Sequence, residues 1–262
     1  VFVYPAIALS VIGVWAFFAS KGTPSDVVPG AIAVEGESAK KQLADYGDDE
    51  SPAVMTILKT LIKMPIYRQL LVFSFLTTLL RSVFLIWTPK FLFDIGQGAS
   101  AAILKSAVFP LLGVAGTLFI GWYTDHYARN GDRARMMWIM LAVLVLCTFS
   151  ISVLSAAENP NYNLIIFFLG GSGFFLLGPY SMSSGALTLD IAGAKGAGSC
   201  TGIIDGMGYI GGAIAAFAAG AMSDSLGWSQ VFVVLTGFAA ISALSAYGMS
   251  RGFQKLAKNS EA

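Results

Sequence analysis

The sequence predicts an all-α membrane protein whose helices cross the bilayer several times. Of its 262 residues, 56% belong to the hydrophobic set and only 12% are charged, whereas a soluble domain carries about 25% charged residues. Long apolar stretches show no polar face, so the folded chain would expose large hydrophobic surfaces to water. The few charges stand in short clusters between these stretches. A lipid bilayer is therefore the expected surroundings of most of the molecule.

Seven apolar stretches are long enough to span, since about 20 apolar residues cross the ~30 Å of hydrocarbon. They are predicted near residues 4–20, 69–90, 102–123, 136–156, 163–187, 199–222 and 229–250. The first is short and has no anchor ahead of it, and the chain begins at Val1 without an initiator methionine. We interpret this as the cut end of a longer chain.

The connections between these stretches differ in length. Between the first and second predicted spans, residues 21–63 are polar and cannot bury enough apolar surface to order themselves fully, so they are interpreted as a linker. The other connections are short, among them the polar segment 190–198. Short loops make successive helices antiparallel neighbours in a bundle.

Orientation follows from the distribution of lysine and arginine, which are enriched in cytoplasmic loops. With the linker in the cytoplasm, the opposite side holds only Lys90 and Lys105. The cytoplasmic side then holds thirteen cations, namely Lys21, Lys40, Lys41, Lys59, Lys63, Arg68, Arg129, Arg133, Arg135, Lys195, Arg251, Lys255 and Lys258. The sequence therefore predicts that the linker and the final segment are cytoplasmic.

Several classes of function are not indicated. The net charge of +1 comes without a basic face that could bind nucleic acid. Cys147 and Cys200 lie in or beside apolar segments, as small hydrophobic residues do. The single histidine, His126, has no second histidine to form a metal site or a catalytic pair with. We expect no metal, no cofactor and no enzyme activity.

Arg81 is the residue whose predicted position in the membrane costs the most free energy. It lies about twelve residues into the second predicted span, some 18 Å from the edge of the bilayer. A charge at that depth costs roughly 2.5–3.5 kcal/mol and normally faces a cavity or a partner. A guanidinium presents a planar fork of donors that suits phosphate or carboxylate. The pattern indicates an anionic substrate, and the structural alternative is an ion pair with Asp205.

Three other residues are candidates in the later spans. Asp205 is about two turns into its span, where it could gate, carry a proton or interact favourably with the positive end of the helix dipole. Tyr180 and Tyr209 could donate hydrogen bonds into a cavity, although aromatic side chains in bundles also serve simply as packing.

The most distinctive polar segment is residues 121–135, in which Gly121 precedes Asp125 by four residues and arginines follow. This pattern resembles the Gly-x-x-x-Asp signature of major facilitator transporters. Further motifs are similar, in order and spacing, to those of the organophosphate:phosphate antiporters. These motifs are Arg81-x5-Trp87-Thr88-Pro89, Gly178-Pro179-Tyr180, Asp190 with Lys195, Gly208-Tyr209-Ile210-Gly211-Gly212 and Gly227-Trp228.

This resemblance implies the C-terminal six-helix bundle of a major facilitator transporter, preceded by one helix of the N-terminal half. Residues 1–20 would be that helix, 21–66 the central cytoplasmic loop, 67–252 the bundle and 253–262 a cytoplasmic tail. The missing N-terminal half of the same transporter would be the partner. The protein would be a multi-pass integral protein of the cell (inner) membrane.

The resemblance also implies a function, the exchange of a phosphorylated metabolite for inorganic phosphate by alternating access. By this resemblance Arg81 would bind the substrate phosphate and Asp125 would steady the cytoplasmic gate. Separately from it, we expect Tyr180 and Tyr209 to contact the substrate, and Arg129 and Asp205 to take part in gating or coupling.

Where the bacterial glycerol-3-phosphate members of this family carry Tyr, Gly and Asp, this chain has Ser82, Val83 and Ile86. The substrate could therefore be a different phosphate ester, such as a sugar phosphate. The alternative within the same superfamily is a proton-coupled carrier of another organic anion, with Asp205 as the proton site. A channel would need paired reentrant half-helices or a ring of filter residues, and the sequence shows neither.

Overall fold

The computed structural model describes Val11, Trp15 and residues 61–127 and 132–260. The chain divides into two compact units, residues 1–35 and 36–262. In the first unit only Val11 and Trp15 are described, and both are helical. The rest of the predicted span 4–20 lies outside the described residues. The same is true of the predicted linker 21–63 as far as residue 60.

The described part of the second unit is built from helices. Its seven complete helices are α1 (Pro65–Asp94), α2 (Ala99–Ser106), α3 (Val108–Tyr127), α4 (Ala134–Ser155), α5 (Tyr162–Ser183), α6 (Ala186–Leu226) and α7 (Trp228–Ser260). Six segments of the described chain are long and apolar enough to cross a membrane, and α2 and α3 together form one of them. These six segments overlap the last six predicted spans. The prediction of an all-α membrane protein is confirmed.

The predicted loop 190–198 is helical in the structure, yet α6 is not straight. In a straight helix, Thr188 and Thr201 would lie about 20 Å apart along the axis. Instead the Thr201 hydroxyl donates to the Ser184 carbonyl at 3.0 Å and lies 3.2 Å from the Thr188 hydroxyl. The chain must therefore fold back between the spans Tyr162–Ala192 and Ala197–Leu226.

Helix α1 is the central element that positions the site. Its Phe84 stacks on Phe109 of α3 with 4.9 Å between ring centroids, and its Phe91 packs against Phe232 of α7 at 4.8 Å. Both rings of each pair are almost completely buried. Residues near the middle of α1 are therefore held by neighbours on several sides.

Glycines bring α1 against α6, and α3 against α5. A β-carbon at Gly208 would lie 2.6 Å from the Thr78 hydroxyl of α1, and one at Gly211 would strike the carbonyl of Phe75. A β-carbon at Gly116 of α3 would strike the carbonyl of Phe174 in α5. Small residues allow such close approach in lipid, where packing drives helix association. Gly208, Gly211 and Gly116 therefore allow α1 to pack against α6, and α3 against α5.

Hydroxyl groups join α4 to α7 instead. The Ser152 hydroxyl donates to the carbonyl of Ser229, and the Ser229 hydroxyl donates to the carbonyl of Ser152, both at 3.0 Å. One turn before Ser152 in α4, the Thr148 hydroxyl accepts from the Thr236 hydroxyl of α7 at 3.1 Å. We call these four residues the hydroxyl seam. It pairs polar groups that hydrocarbon could not satisfy.

Two groups of charged side chains lie at opposite ends of the bundle. One end holds the start of α1 and the end of α7, where Ile66 meets Gly252, together with Arg133. At the other end lie Lys90 and Asp224. We call these the Arg133 end and the Lys90 end.

Cysteine labelling tests which end faces the cytoplasm. We expect Arg135→Cys, at the Arg133 end, to react only with a reagent supplied from the cytoplasmic side, and Asn159→Cys only from outside, because cations are enriched in cytoplasmic segments. Both native side chains are exposed, and the background cysteines Cys147 and Cys200 are buried. Full-length protein in sealed vesicles suits the measurement. Outside labelling at position 135 would reverse the orientation.

Candidate functional site

Arg81 lies at the middle of the central helix. It is 16 residues from Pro65 and 13 from Asp94 in the 30-residue helix α1, so about 20 Å of helix separates it from either end. Its side chain is partly buried. Arg81 therefore lies near the middle of a helix that is long and apolar enough to span a membrane.

The guanidinium of Arg81 lies over the ring of Tyr180 in α5, with 4.7 Å between the central carbon and the ring centroid. This distance is within the range in which a cation is attracted to an aromatic face. The Nε atom of Arg81 is buried and has no hydrogen-bond partner in the described protein. The structure thus brings together two of the predicted site residues, and we call this pair the midspan site.

Arg81 and Asp205 do not form the ion pair that was the structural alternative. No salt bridge among the described residues includes either of them. The reason is register, because the Ser74 hydroxyl donates to the carbonyl of Ile204, next to Asp205, at 3.0 Å. Ser74 precedes Arg81 by seven residues, about 10 Å along the helix axis.

Tyr209 lies on α6 and is 67% exposed. Its neighbour Gly208 packs against Thr78, one turn from Arg81, so Tyr209 belongs to the helix segment beside the midspan site. Within the described residues, neither a hydrogen bond nor a cation-π contact links Tyr209 to Arg81.

A second constellation surrounds Arg133, at the start of α4. Its Nη1 lies 3.5 Å from Oδ1 of Asp125 at the end of α3, and its Nε lies 3.3 Å from Oδ2 of Asp190 at the start of α6. Asp190 and Arg133 are about 30% exposed and Asp125 is 68% exposed. One arginine therefore links the ends of three helices, and we call this the Arg133 cluster.

The choice of arginine in this loop could not be made from sequence. Arg129 was predicted to act beside Asp125, and it lies outside the described residues. In the structure Arg133 contacts Asp125, although it received no specific role from the sequence. Several arginines follow Asp125 within one short loop, and the sequence alone does not indicate which of them contacts it. Asp190 carried a signal only through its place in the family motif.

A third group of interacting charged side chains lies at the Lys90 end. Lys90 Nζ lies 2.6 Å from Asp94 and 3.3 Å from Asp224, and the Trp228 indole donates to Asp94 at 2.8 Å. Gly227, with φ of +82°, makes the turn that brings Trp228 back toward α1. Nine residues separate Lys90 from Arg81, which puts them on opposite faces of α1. This group is therefore not part of the midspan site.

Known proteins share the sequence features of this bundle. A sequence model of the Major Facilitator Superfamily matches residues 1–216. The human glucose-6-phosphate exchanger SLC37A1 is 28% identical over 160 residues. The membrane sensor protein UhpC of Escherichia coli is 31% identical over 137 residues. The glycerol-3-phosphate transporter of Haemophilus influenzae is 24% identical over 262 residues.

These matches cover different shares of the proteins. They include 58%, 52% and 92% of this chain, and 29%, 30% and 53% of the human, Escherichia coli and Haemophilus proteins respectively. The chain thus spans about a third to a half of the length of these relatives. The superfamily match, in contrast, extends over most of this chain and agrees with its apolar helices. The chain belongs to the Major Facilitator Superfamily and is an integral, multi-pass membrane protein.

Proposed function

We propose that this chain is the substrate-binding C-terminal half of an exchanger that trades a phosphorylated organic metabolite for inorganic phosphate. The observation that carries the proposal is Arg81, a cation in the middle of a spanning helix with no acidic partner among the described residues. The chemistry of its guanidinium suits an anion that enters between this bundle and an N-terminal half.

The geometry of Arg81 suits an oxyanion such as a phosphate group. The Tyr180 ring covers one face of the guanidinium, so the donors along its edges are what remains for a ligand. Nε is buried without a partner, and a buried donor left unpaired costs roughly 1–3 kcal/mol. Phosphate oxygens match the planar fork of an arginine in bidentate fashion. A phosphate oxygen that accepts a hydrogen bond from Nε would give this buried donor the partner that it lacks.

The relatives support the same class of substrate. Two of them carry names that describe a glucose-6-phosphate exchanger and a glycerol-3-phosphate transporter. A third is named a membrane sensor protein, so binding without transport is the outcome to be distinguished from exchange.

Counterflow in vesicles tests the proposal. Full-length protein is reconstituted into liposomes loaded with inorganic phosphate, and uptake of labelled glycerol-3-phosphate and glucose-6-phosphate is measured, with glycerol and glucose as uncharged controls. We expect uptake of a phosphate ester that requires internal phosphate. Uptake driven by a proton gradient without internal phosphate would support the proton-coupled alternative. Binding without any uptake would support a sensor.

We also propose that the Arg133 cluster is the cytoplasmic gate of this exchanger. It lies at the cation-rich end and ties together the ends of α3, α4 and α6. If the two halves rock around the midspan site, contacts at this end form in one state and break in the other. A group that contributes to only one state changes the equilibrium between states.

Asp125→Asn is expected to slow exchange while leaving substrate affinity unchanged. Asp125 lies far from Arg81 and is mostly exposed, and exposed ion pairs are worth at most about 1 kcal/mol, so the rate should fall by no more than roughly fivefold. Exchange rate and binding of inorganic phosphate would be measured in parallel. Glu158→Gln, an exposed acid outside the salt bridges of the described residues, is the control. Lost binding with normal exchange would contradict this placement.

A further inference from the structure

Asp132 immediately precedes Arg133 and is held by three donors. Its Oδ1 accepts from the backbone N–H of Arg135 at 3.1 Å. Its Oδ2 accepts from the Ser250 hydroxyl at 2.8 Å and from the side-chain amide of Gln254 at 2.9 Å. One oxygen thus faces α4 and the other faces the end of α7.

The contact with α4 alone is an ordinary helix cap. An aspartate whose side chain accepts from a backbone N–H three residues later stabilises the first turn of a helix. Capping does not explain the second oxygen. Ser250 and Gln254 are four residues apart, on one face of α7, and the Gln254 amide also donates to the Ser250 hydroxyl at 3.3 Å. The end of α7 therefore presents a connected pair of donors to Asp132.

The contacts of Asp132 affect the Arg133 cluster because Asp132 and Arg133 are neighbours in the chain. Consecutive α-carbons are 3.8 Å apart, so whatever fixes Asp132 also fixes the origin of the Arg133 side chain. Arg133 contacts Asp125 on one side and Asp190 on the other, with nitrogen–oxygen distances of 3.5 and 3.3 Å respectively. Both distances are longer than the roughly 2.7–2.9 Å of a strong charged hydrogen bond, so the two contacts depend on where the Arg133 side chain originates.

We propose that Asp132 is a positioning residue for the gate, through which Ser250 and Gln254 of α7 hold Arg133 between Asp125 and Asp190. This rests on the proposed gating role of the Arg133 cluster. The last turns of α7 then belong to the gate, although no hydrogen bond or salt bridge among the described residues joins them to its three charged residues. Helix α7 is helical well beyond the predicted end at residue 250, which places Gln254 within reach.

The test is a double-mutant cycle between Gln254→Ala and Arg133→Gln in the full-length transporter, reconstituted into vesicles. The probe is inorganic phosphate, measured both as phosphate–phosphate exchange and as equilibrium binding. We expect Gln254→Ala to slow exchange about threefold with unchanged binding, and Gln254→Lys, which keeps a donor, to stay near the wild-type rate. In the Arg133→Gln background, Gln254→Ala should have no further effect. Gln230→Ala changes an exposed glutamine at the far end of the same helix and is the control.

Each outcome has one meaning. If Arg133→Gln slows exchange but Gln254→Ala adds its full effect in that background, Asp132 does not act through Arg133 and this inference is wrong while the gate stands. The inference is also wrong if Gln254→Ala exchanges at the wild-type rate. If Arg133→Gln exchanges normally, the gate itself is wrong, and this inference is lost with it.

Discussion

Arg81→Lys is expected to weaken binding of a phosphate ester at least tenfold, although the charge is kept. Lysine retains a point charge but loses the planar fork and the flat face that lies on Tyr180. One charged hydrogen bond is worth about 1.5–3 kcal/mol, which corresponds to roughly tenfold or more in affinity. Binding of glycerol-3-phosphate, glucose-6-phosphate and inorganic phosphate to the full-length protein is the measurement.

Two further variants show whether the loss belongs to the ligand. Arg68→Lys makes the same change at an exposed arginine on the same helix and should bind normally. Removal of both charges in Arg81→Gln with Asp205→Asn should not restore binding, because the two side chains form no ion pair in the structure. Near-normal binding by Arg81→Lys, or rescue in the double variant, would show that Arg81 is structural.

Gly116→Ala is expected to destabilise the bundle by about 1–3 kcal/mol, the usual cost of overpacking. The added methyl group would meet the backbone carbonyl of Phe174, which cannot rotate away as a side chain could. Helices α3 and α5 would have to separate. The unfolding midpoint of the detergent-solubilised protein should fall by several degrees.

Gly121→Ala, on the same helix, is the matched control for this change. A β-carbon at Gly121 meets nothing within 4 Å, while the gain in helix propensity from replacing glycine is the same at both positions. Gly121→Ala should therefore equal or exceed the wild type in stability. Equal stability of the two variants would mean that α3 and α5 do not pack through Gly116.

The sequence predicted the spans because a bilayer imposes a length and a composition that can be counted along the chain. The ends of the helices were harder to predict. The predicted span ended at residue 250, where polar residues begin, whereas α7 continues to Ser260, and its Ser250 and Gln254 donate to Asp132 just before α4. The loop 190–198 was predicted from its polarity, whereas the structure folds back there while remaining helical. Both differences arise from tertiary contacts that local sequence does not encode.

Part of the candidate site was also predictable. The cost of a buried charge identified Arg81, and the structure places Tyr180 against it. The pairing of Arg81 with Asp205 could not be judged from sequence, because it depends on how far α6 is shifted along α1, which Ser74 and its contact fix. Arg133 was missed for a similar reason, since loop arginines of equal chemistry differ only in the direction of the backbone.

The hydroxyl seam has a consequence for how the protein is made. Ser152 and Ser229 are 77 residues apart in the chain, and a ribosome adding about 5–20 residues per second needs roughly 4–15 s to synthesise that interval. During this time α4 is already in the membrane while its partner helix does not exist. A nascent chain stopped before Trp228 would leave the hydroxyl groups of Ser152 and Thr148 without their α7 partners. The helix synthesised last among those described is thus the one that completes the assembly.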